Sequence, residues 1–271
     1  MRHDLLHAMT VRAEAFLEYL PGALDGHVRD THQTRVAARR LIETLPLSGP
    51  AGGRLARQIR EVRRALGAGR EMDVTLALLA EEAARRDWPP ALVRRVRAHV
   101  EAARDAQRAD AREALDRVDE SKLRRGIRAA GAGAAEMTPA RVKARLQARE
   151  AERASALARA VRAAGAIYDP ERLHHVRIAA KKLRYTLEVV GEVIGGRTAK
   201  RVARLRDLQE VLGRLHDLQV LQKGIREVEG ALVPGRGRVA RGLSRMAEAL
   251  EVECRALHAD ALRSIARGVK T

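Results

Sequence analysis

One short pattern, written twice, constrains the fold more than any other feature. His32-Gln-Thr-Arg-Val-Ala-Ala-Arg-Arg-Leu41 returns as His174-His-Val-Arg-Ile-Ala-Ala-Lys-Lys-Leu183, a shared His-x-x-Arg-(Val/Ile)-Ala-Ala-basic-basic-Leu. At about 100° per residue, His32, Arg35 and Arg39 share one helical face, and Thr34, Ala37, Ala38, Leu41 and Leu45 gather on the opposite one. The second copy places His174, Arg177 and Lys181 on the equivalent face, Arg184 and Tyr185 beside them, and Ala179, Ala180, Leu183 and Leu187 on the packing stripe. Each segment therefore reads as a helix that docks through small aliphatic residues and turns a basic face elsewhere.

A second pair of blocks follows in the same order. Leu66-Gly67, Arg70, Glu71 and Val74 align with Leu212-Gly213, His216, Asp217 and Val220, and Arg60 aligns with Arg206 upstream. Two matched blocks in order indicate an internal duplication, with a first repeat over 1–118, a junction over 119–138 and a second repeat over 139–271. Helical periodicity predicts helices near 3–20, 27–45, 52–68, 72–87, 91–118, 139–165, 171–194, 198–214, 217–230 and 236–267, with a short one near 120–130. The eight prolines, Pro21, Pro46, Pro50, Pro89, Pro90, Pro139, Pro170 and Pro234, are expected at the joints.

Composition agrees with an all-α fold. Aromatics are 2% of the 271 residues, so the core must be built from Ala, Leu and Val on helices rather than from a sheet rich in rings and β-branched residues. The single cysteine, Cys254, allows neither an internal disulfide nor a four-cysteine zinc site. Charges interrupt the first apolar stretch and no long apolar run follows, so a soluble, cytoplasmic protein without a membrane partner is expected.

The formal charge of +18, with 46 arginines, points to a polyanionic partner. Arginine suits phosphate because its planar fork matches two oxygens at once. Only Tyr185, among Phe16, Tyr19, Trp88, Tyr168 and Tyr185, lies on a basic face, which argues against single strands held by base stacking. Duplex nucleic acid bound by its backbone stays open as a weaker alternative. His3-Asp4 and His216-Asp217 are isolated dipeptides, and no Gly-x-x-x-x-Gly-Lys-(Ser/Thr) loop is present. Arginines beside the histidines would repel a metal ion. The chain reads as a binder with no catalytic residues, no metal and no cofactor.

The two His-x-x-Arg segments, together with the two Leu-Gly blocks, resemble the CHAD family, the conserved histidine α-helical domain, over essentially the whole chain, as a stand-alone member. The resemblance implies two pseudo-symmetric helical bundles of about ten helices with a basic central pore or groove. It also implies binding of inorganic polyphosphate, with association to polyphosphate granules. Carried over residue by residue, the binding set is His32, Arg35, Arg39, Arg40 and Arg60 in the first copy and His174, Arg177, Lys181, Lys182, Arg184, Tyr185 and Arg206 in the second. Arg70 and His216 are weaker candidates, because Glu71 and Asp217 stand ready to pair with them. Ile42 and Glu43 replace the Arg-Tyr of the second copy, so the first basic face is expected to be shorter. An accessory domain of a metal-dependent phosphohydrolase is the remaining alternative. Histidines at a polyanion should favour the protonated form, so affinity is expected to rise as pH falls.

Overall fold

The computed structural model describes residues 2–195, 197–232 and 237–268. These form α1 (Arg2–Leu24), α2 (Val28–Thr44), a 3₁₀ turn (Leu45–Ser48), α3 (Pro50–Ala65), α4 (Arg70–Arg85), α5 (Pro90–Asp116), α6 (Glu120–Ala135), α7 (Pro139–Ala164), α8 (Pro170–Val193), α9 (Ala199–Gly230) and α10 (Gly237–Gly268). No strand occurs among the described residues, as the composition requires. None of the described helices is long and apolar enough to cross a membrane.

Four prolines do what the sequence asked of them. Pro50, Pro90, Pro139 and Pro170 each stand first in a helix, where the missing N–H has no partner to lose. Asp119 caps α6 by accepting from Lys122 N at 2.9 Å, and Asp169 caps α8 by accepting from Glu171 N at 3.0 Å. Pro21 departs from the expectation, since α1 runs through it to Leu24. The last turn survives because Asp25 N and His27 N still reach Pro21 O and Gly22 O, at 3.0 and 2.8 Å. Pro234 lies outside the described residues.

The break expected between 214 and 217 is absent, and α9 is one continuous helix. Leu212, Leu215, Leu218 and Leu221 are all nearly fully buried, so one apolar stripe carries straight through the predicted gap. The junction at 119–138 holds the helix expected near 120–130, in a longer form. This is α6, whose Leu123, Ala130 and Ala134 are buried in a core.

Two compact units divide the chain. The first comprises Met1–Ala68, Ala109–Ala156 and Lys181–Ala203; the second comprises Gly69–Arg108, Leu157–Ala180 and Arg204–Thr271. Each draws on both sequence halves, because α5, α7, α8 and α9 contribute residues to both. The first unit's core joins Phe16 and Leu20 of α1, Leu41 of α2, Ile59 of α3, Leu146 of α7 and Val189 and Val190 of α8. Burying each large aliphatic contributes about 1.5–3 kcal/mol. In the second unit, Leu79 of α4, Val96 of α5, Leu218, Leu221 and Ile225 of α9 and Leu243 and Leu250 of α10 do the same.

The second unit also buries charge. Glu82 is fully buried and accepts from Arg85, Arg86 and Arg214 at 2.6, 2.7 and 2.6 Å. Glu253 pairs with the same three arginines. Burial pushes the Glu82 carboxyl upward, but hydrogen bonds from Arg86 and Arg85 and their charges outweigh it and leave it below its ordinary range.

Candidate functional site

In the first unit, α2 buries Thr34, Ala37, Ala38 and Leu41 as its periodicity requires, which leaves the basic face toward solvent and α3. His32 and Arg40 are exposed, and Arg35 and Arg39 are half-buried. Arg35 has a structural duty: its Nη1 donates to Leu66 O at 3.0 Å, tying α2 to the end of α3. A Cβ on Gly67 would sit 2.3 Å from that nitrogen, so the first Leu-Gly block needs its glycine for this approach. The two sequence motifs of the first copy thus touch each other.

Arg63 of α3 is the residue that sequence reasoning missed. Its Nε is buried and has no hydrogen-bond partner. Burial first, then the charge of Arg39, and then those of Arg60 and Arg64, hold its guanidinium pKa below the ordinary value, opposed by Tyr185 of α8. Among the described residues, none of Arg39, Arg60, Arg63 and Arg64 forms an ion pair. Arg39, Arg60 and Tyr185, three of the predicted residues, are therefore brought together around a fourth group. A basic residue at position 63 was visible in the sequence, one turn beyond Arg60 on α3; what was missing was any sign that it turns inward.

Other charges in this unit are partly met. Arg184 donates to Glu188 at 2.6 Å and lies over the Tyr185 ring at 4.3 Å from its centroid. Arg12 of α1 pairs with Glu192, while burial and the charge of Arg40 lower its pKa. Lys181 is half-buried and Lys182 exposed. Glu43, where the second copy has Tyr185, is buried and takes Arg149 at 2.9 Å, and Ile42 enters the core, so the first basic face ends at Arg40.

The second unit assembles a different chemistry. The His174 ring of α8 lies 4.9 Å from the His216 ring of α9, and His216 Nε2 stands 3.1 Å from Glu71 Oε1 of α4. The hydrogen bond to His216 leads in holding the Glu71 carboxyl below its usual range; burial opposes it, and the charges of His216, Arg177 and His174 add to it. Burial, followed by the charges of His216, Arg177 and His175, lowers the His174 pKa, with Glu71 opposing. His216, a weaker candidate, is thus paired by an acid as expected, but across to Glu71 rather than along its own helix. Arg70 is exposed at the start of α4. Arg206 does not mirror Arg60: it is exposed on α9 in the second unit, while Arg60 belongs to the Arg63 group in the first.

Among the described residues, no three His, Cys, Asp or Glu side chains are placed to hold a metal ion. Glu171 stands three residues before His174, one half of a di-iron Glu-x-x-His arrangement, but no other histidine has such a partner in the sequence. The His3-Asp4 side chains lie outside the described residues.

The CHAD domain profile matches residues 7–226, a span that includes both His-x-x-Arg segments and both Leu-Gly blocks. The chain belongs to the CHAD family. Two solved structures share this CHAD fold. PptA from Streptomyces chartreusis has a TM-score of 0.69 at 18% identity, covering 100% of this chain and 99% of that one. The CHAD domain from the plant Ricinus communis has a TM-score of 0.64 at 23% identity, covering 99% of this chain and 91% of that one. No curated protein matches the sequence. Helix α10 lies wholly beyond the CHAD match, yet its Leu243, Met246, Ala247, Leu250 and Cys254 are core residues of the second unit.

Proposed function

We propose that this CHAD protein binds inorganic polyphosphate without cleaving it, through a cationic cluster in each unit. One observation carries the reading: Arg63 is half-buried beside Arg39, Arg60 and Arg64 with no ion pair in the group among the described residues. Like charges held together in a partly dry setting destabilise a fold unless an anion compensates. A phosphate chain presents oxygens at every repeat and no bases, which suits forked guanidinium donors without a stacking platform. Tyr185 of α8 acts on Arg63, and Lys181 and Lys182 of α8 and the exposed Arg40 and His32 of α2 add further donors in the same unit. His174, Arg177 and His216 supply the second unit's cluster. Family membership supports a polyphosphate-related role, and with it cytoplasmic association with polyphosphate granules.

The test is a titration with long-chain polyphosphate and with duplex DNA across a range of salt concentrations. The wild type is compared with Arg39→Ala/Arg60→Ala/Arg63→Ala and with His174→Ala/Arg177→Ala, and orthophosphate release is followed in parallel. The expected result is polyphosphate binding that persists near physiological salt, exceeds DNA binding and falls in both variants. Equal, steeply salt-dependent binding of both polymers that ignores the substitutions would replace a built site with diffuse charge. Sustained release of orthophosphate would replace a binder with an enzyme.

A further inference from the structure

The histidine cluster differs from the arginine cluster in one respect that charge counting hides: it already contains an anion. Glu71 stands in the first turn of α4 with its side chain 55% exposed, while His216, which it contacts at 3.1 Å, is only 16% exposed. The carboxylate therefore reaches from solvent onto a half-sheltered imidazole. His174 and Arg177 of α8 act on the same carboxylate electrostatically, so Glu71 stands in the field of three potential phosphate donors and in contact with one of them, His216.

We infer that Glu71 is a built-in competitor at this cluster, occupying the anion position in the ligand-free protein and giving up His216 when a phosphate chain arrives. The inference rests on the polyphosphate reading of the site. Its physical basis is that a phosphate oxygen within reach of His174, Arg177 and His216 would lie against an ionised carboxylate, and two anions sharing those donors repel each other. The contact that satisfies His216 in the free protein is thus the one that must yield. Among the described residues, the charged and titratable groups that act most on His174 are His175 and Arg177 on its own helix, His216 on α9 and Glu71 on α4. Arg70 and Asp217 adjoin the pair in sequence. Of the groups that act most on His174, Glu71 favours its protonated form.

Two consequences of removing this charge can be separated from a merely structural role. Glu71→Gln keeps the size and a hydrogen-bonding oxygen but removes the competition, so affinity for long-chain polyphosphate at neutral pH rises about threefold, the order of a partly exposed ion pair. In the same variant His174 loses an acid that favours its protonated form, so the free protein holds less charge there and binding takes up more of a proton. The gain in affinity on acidification becomes steeper than in the wild type.

The experiment is polyphosphate titration of wild type, Glu71→Gln and Glu71→Gln/His216→Asn across neutral and mildly acidic pH, with melting temperatures of the ligand-free proteins as a check on folding. A tighter, more steeply pH-dependent Glu71→Gln whose gain disappears when His216 is also replaced is the expected result. Wild-type binding with Glu71→Gln equal or weaker overturns the competitor role and leaves the polyphosphate reading intact. A wild type that does not bind polyphosphate overturns both.

Discussion

Arg63 and Arg214 are the same side chain in opposite situations. In the second unit, Arg214 joins Arg85 and Arg86 around the fully buried Glu82 and around Glu253, and every cation in the group has a carboxylate. In the first unit, Arg63 is half-buried with Arg39, Arg60 and Arg64 for neighbours and no ion pair among them within the described residues. Both groups contribute to the +18 charge, and that total does not distinguish them. A saturated network fixes helices to one another, whereas an unsaturated one retains an affinity for anions that the fold itself does not satisfy. The proposed binding rests on the missing acid more than on the abundant base.

The comparison breaks most visibly on the saturated side. Glu82→Ala leaves three arginines around a buried gap with Glu253, and Glu81 at 3.2 Å from Arg214, to hold them, and the loss of stability is expected to be about 3–5 kcal/mol. Urea unfolding measures it, and polyphosphate affinity of the folded protein should stay unchanged. A loss under about 1 kcal/mol would show that Glu253 and Glu81 suffice. On the unsaturated side the signs reverse. Arg63→Met retains the apolar stem while removing a cation from among cations, so stability is expected to hold or to rise by about 1 kcal/mol, while polyphosphate affinity falls about tenfold through loss of charge-assisted contacts. A destabilised Arg63→Met with unaltered affinity would make Arg63 a packing residue and erase the distinction between the two groups.

Much of the fold was legible before the structure, and the matched Leu-Gly blocks show where that legibility ended. Apolar stripes on α2 and α8, proline starts at Pro50, Pro90, Pro139 and Pro170 and the all-helical class follow from local rules. The sequence pairs Gly67 with Gly213, yet Gly67 lies in the turn between α3 and α4, with Gly69 at φ 75°, and Gly213 lies inside the unbroken α9. Local pattern cannot tell these apart, because the difference is what approaches from elsewhere: Arg35 lies against Gly67, and nothing lies within 4 Å of a side chain added at Gly213. The same reason hid Arg63, whose neighbours come from α2 and α8, and Glu71, whose partner comes from α9. Gly67→Ala is expected to displace Arg35 from Leu66 O and cost about 1 kcal/mol. Gly213→Ala should stabilise by about 0.5–1 kcal/mol through helix propensity alone. Unfolding curves of the two variants check this, and equal effects of the same sign would mean that the Arg35 contact contributes nothing.

The smallest expected effect separates the clusters by proton. Guanidinium groups stay charged across the physiological range, so polyphosphate binding by the Arg63 group is expected to carry no pH dependence of its own. Burial, with His216, Arg177 and His175, holds the His174 pKa below its ordinary value near 6.5 in the free protein. A polyanion favours the protonated ring and raises that value, so binding takes up a proton. Affinity is therefore flat above the ligand-bound value, rises as pH falls through it, and levels off only below the free value, which places the plateau under about pH 6.5. Stability of the ligand-free protein runs the other way: the folded value lies below the unfolded one, so acid costs stability as pH falls through the unfolded value of about 6.5. One ring is thus expected to give opposite pH slopes to folding and to binding. Titrations from pH 7.5 down to about 5.5 are expected to show about a threefold gain in polyphosphate affinity. Arg63→Met should weaken binding yet keep that slope, and His174→Asn should flatten both the slope of affinity and the acid sensitivity of the free fold. If His174→Asn flattens only the stability curve, His174 is a buried helix contact and the proton taken up on binding belongs to another group.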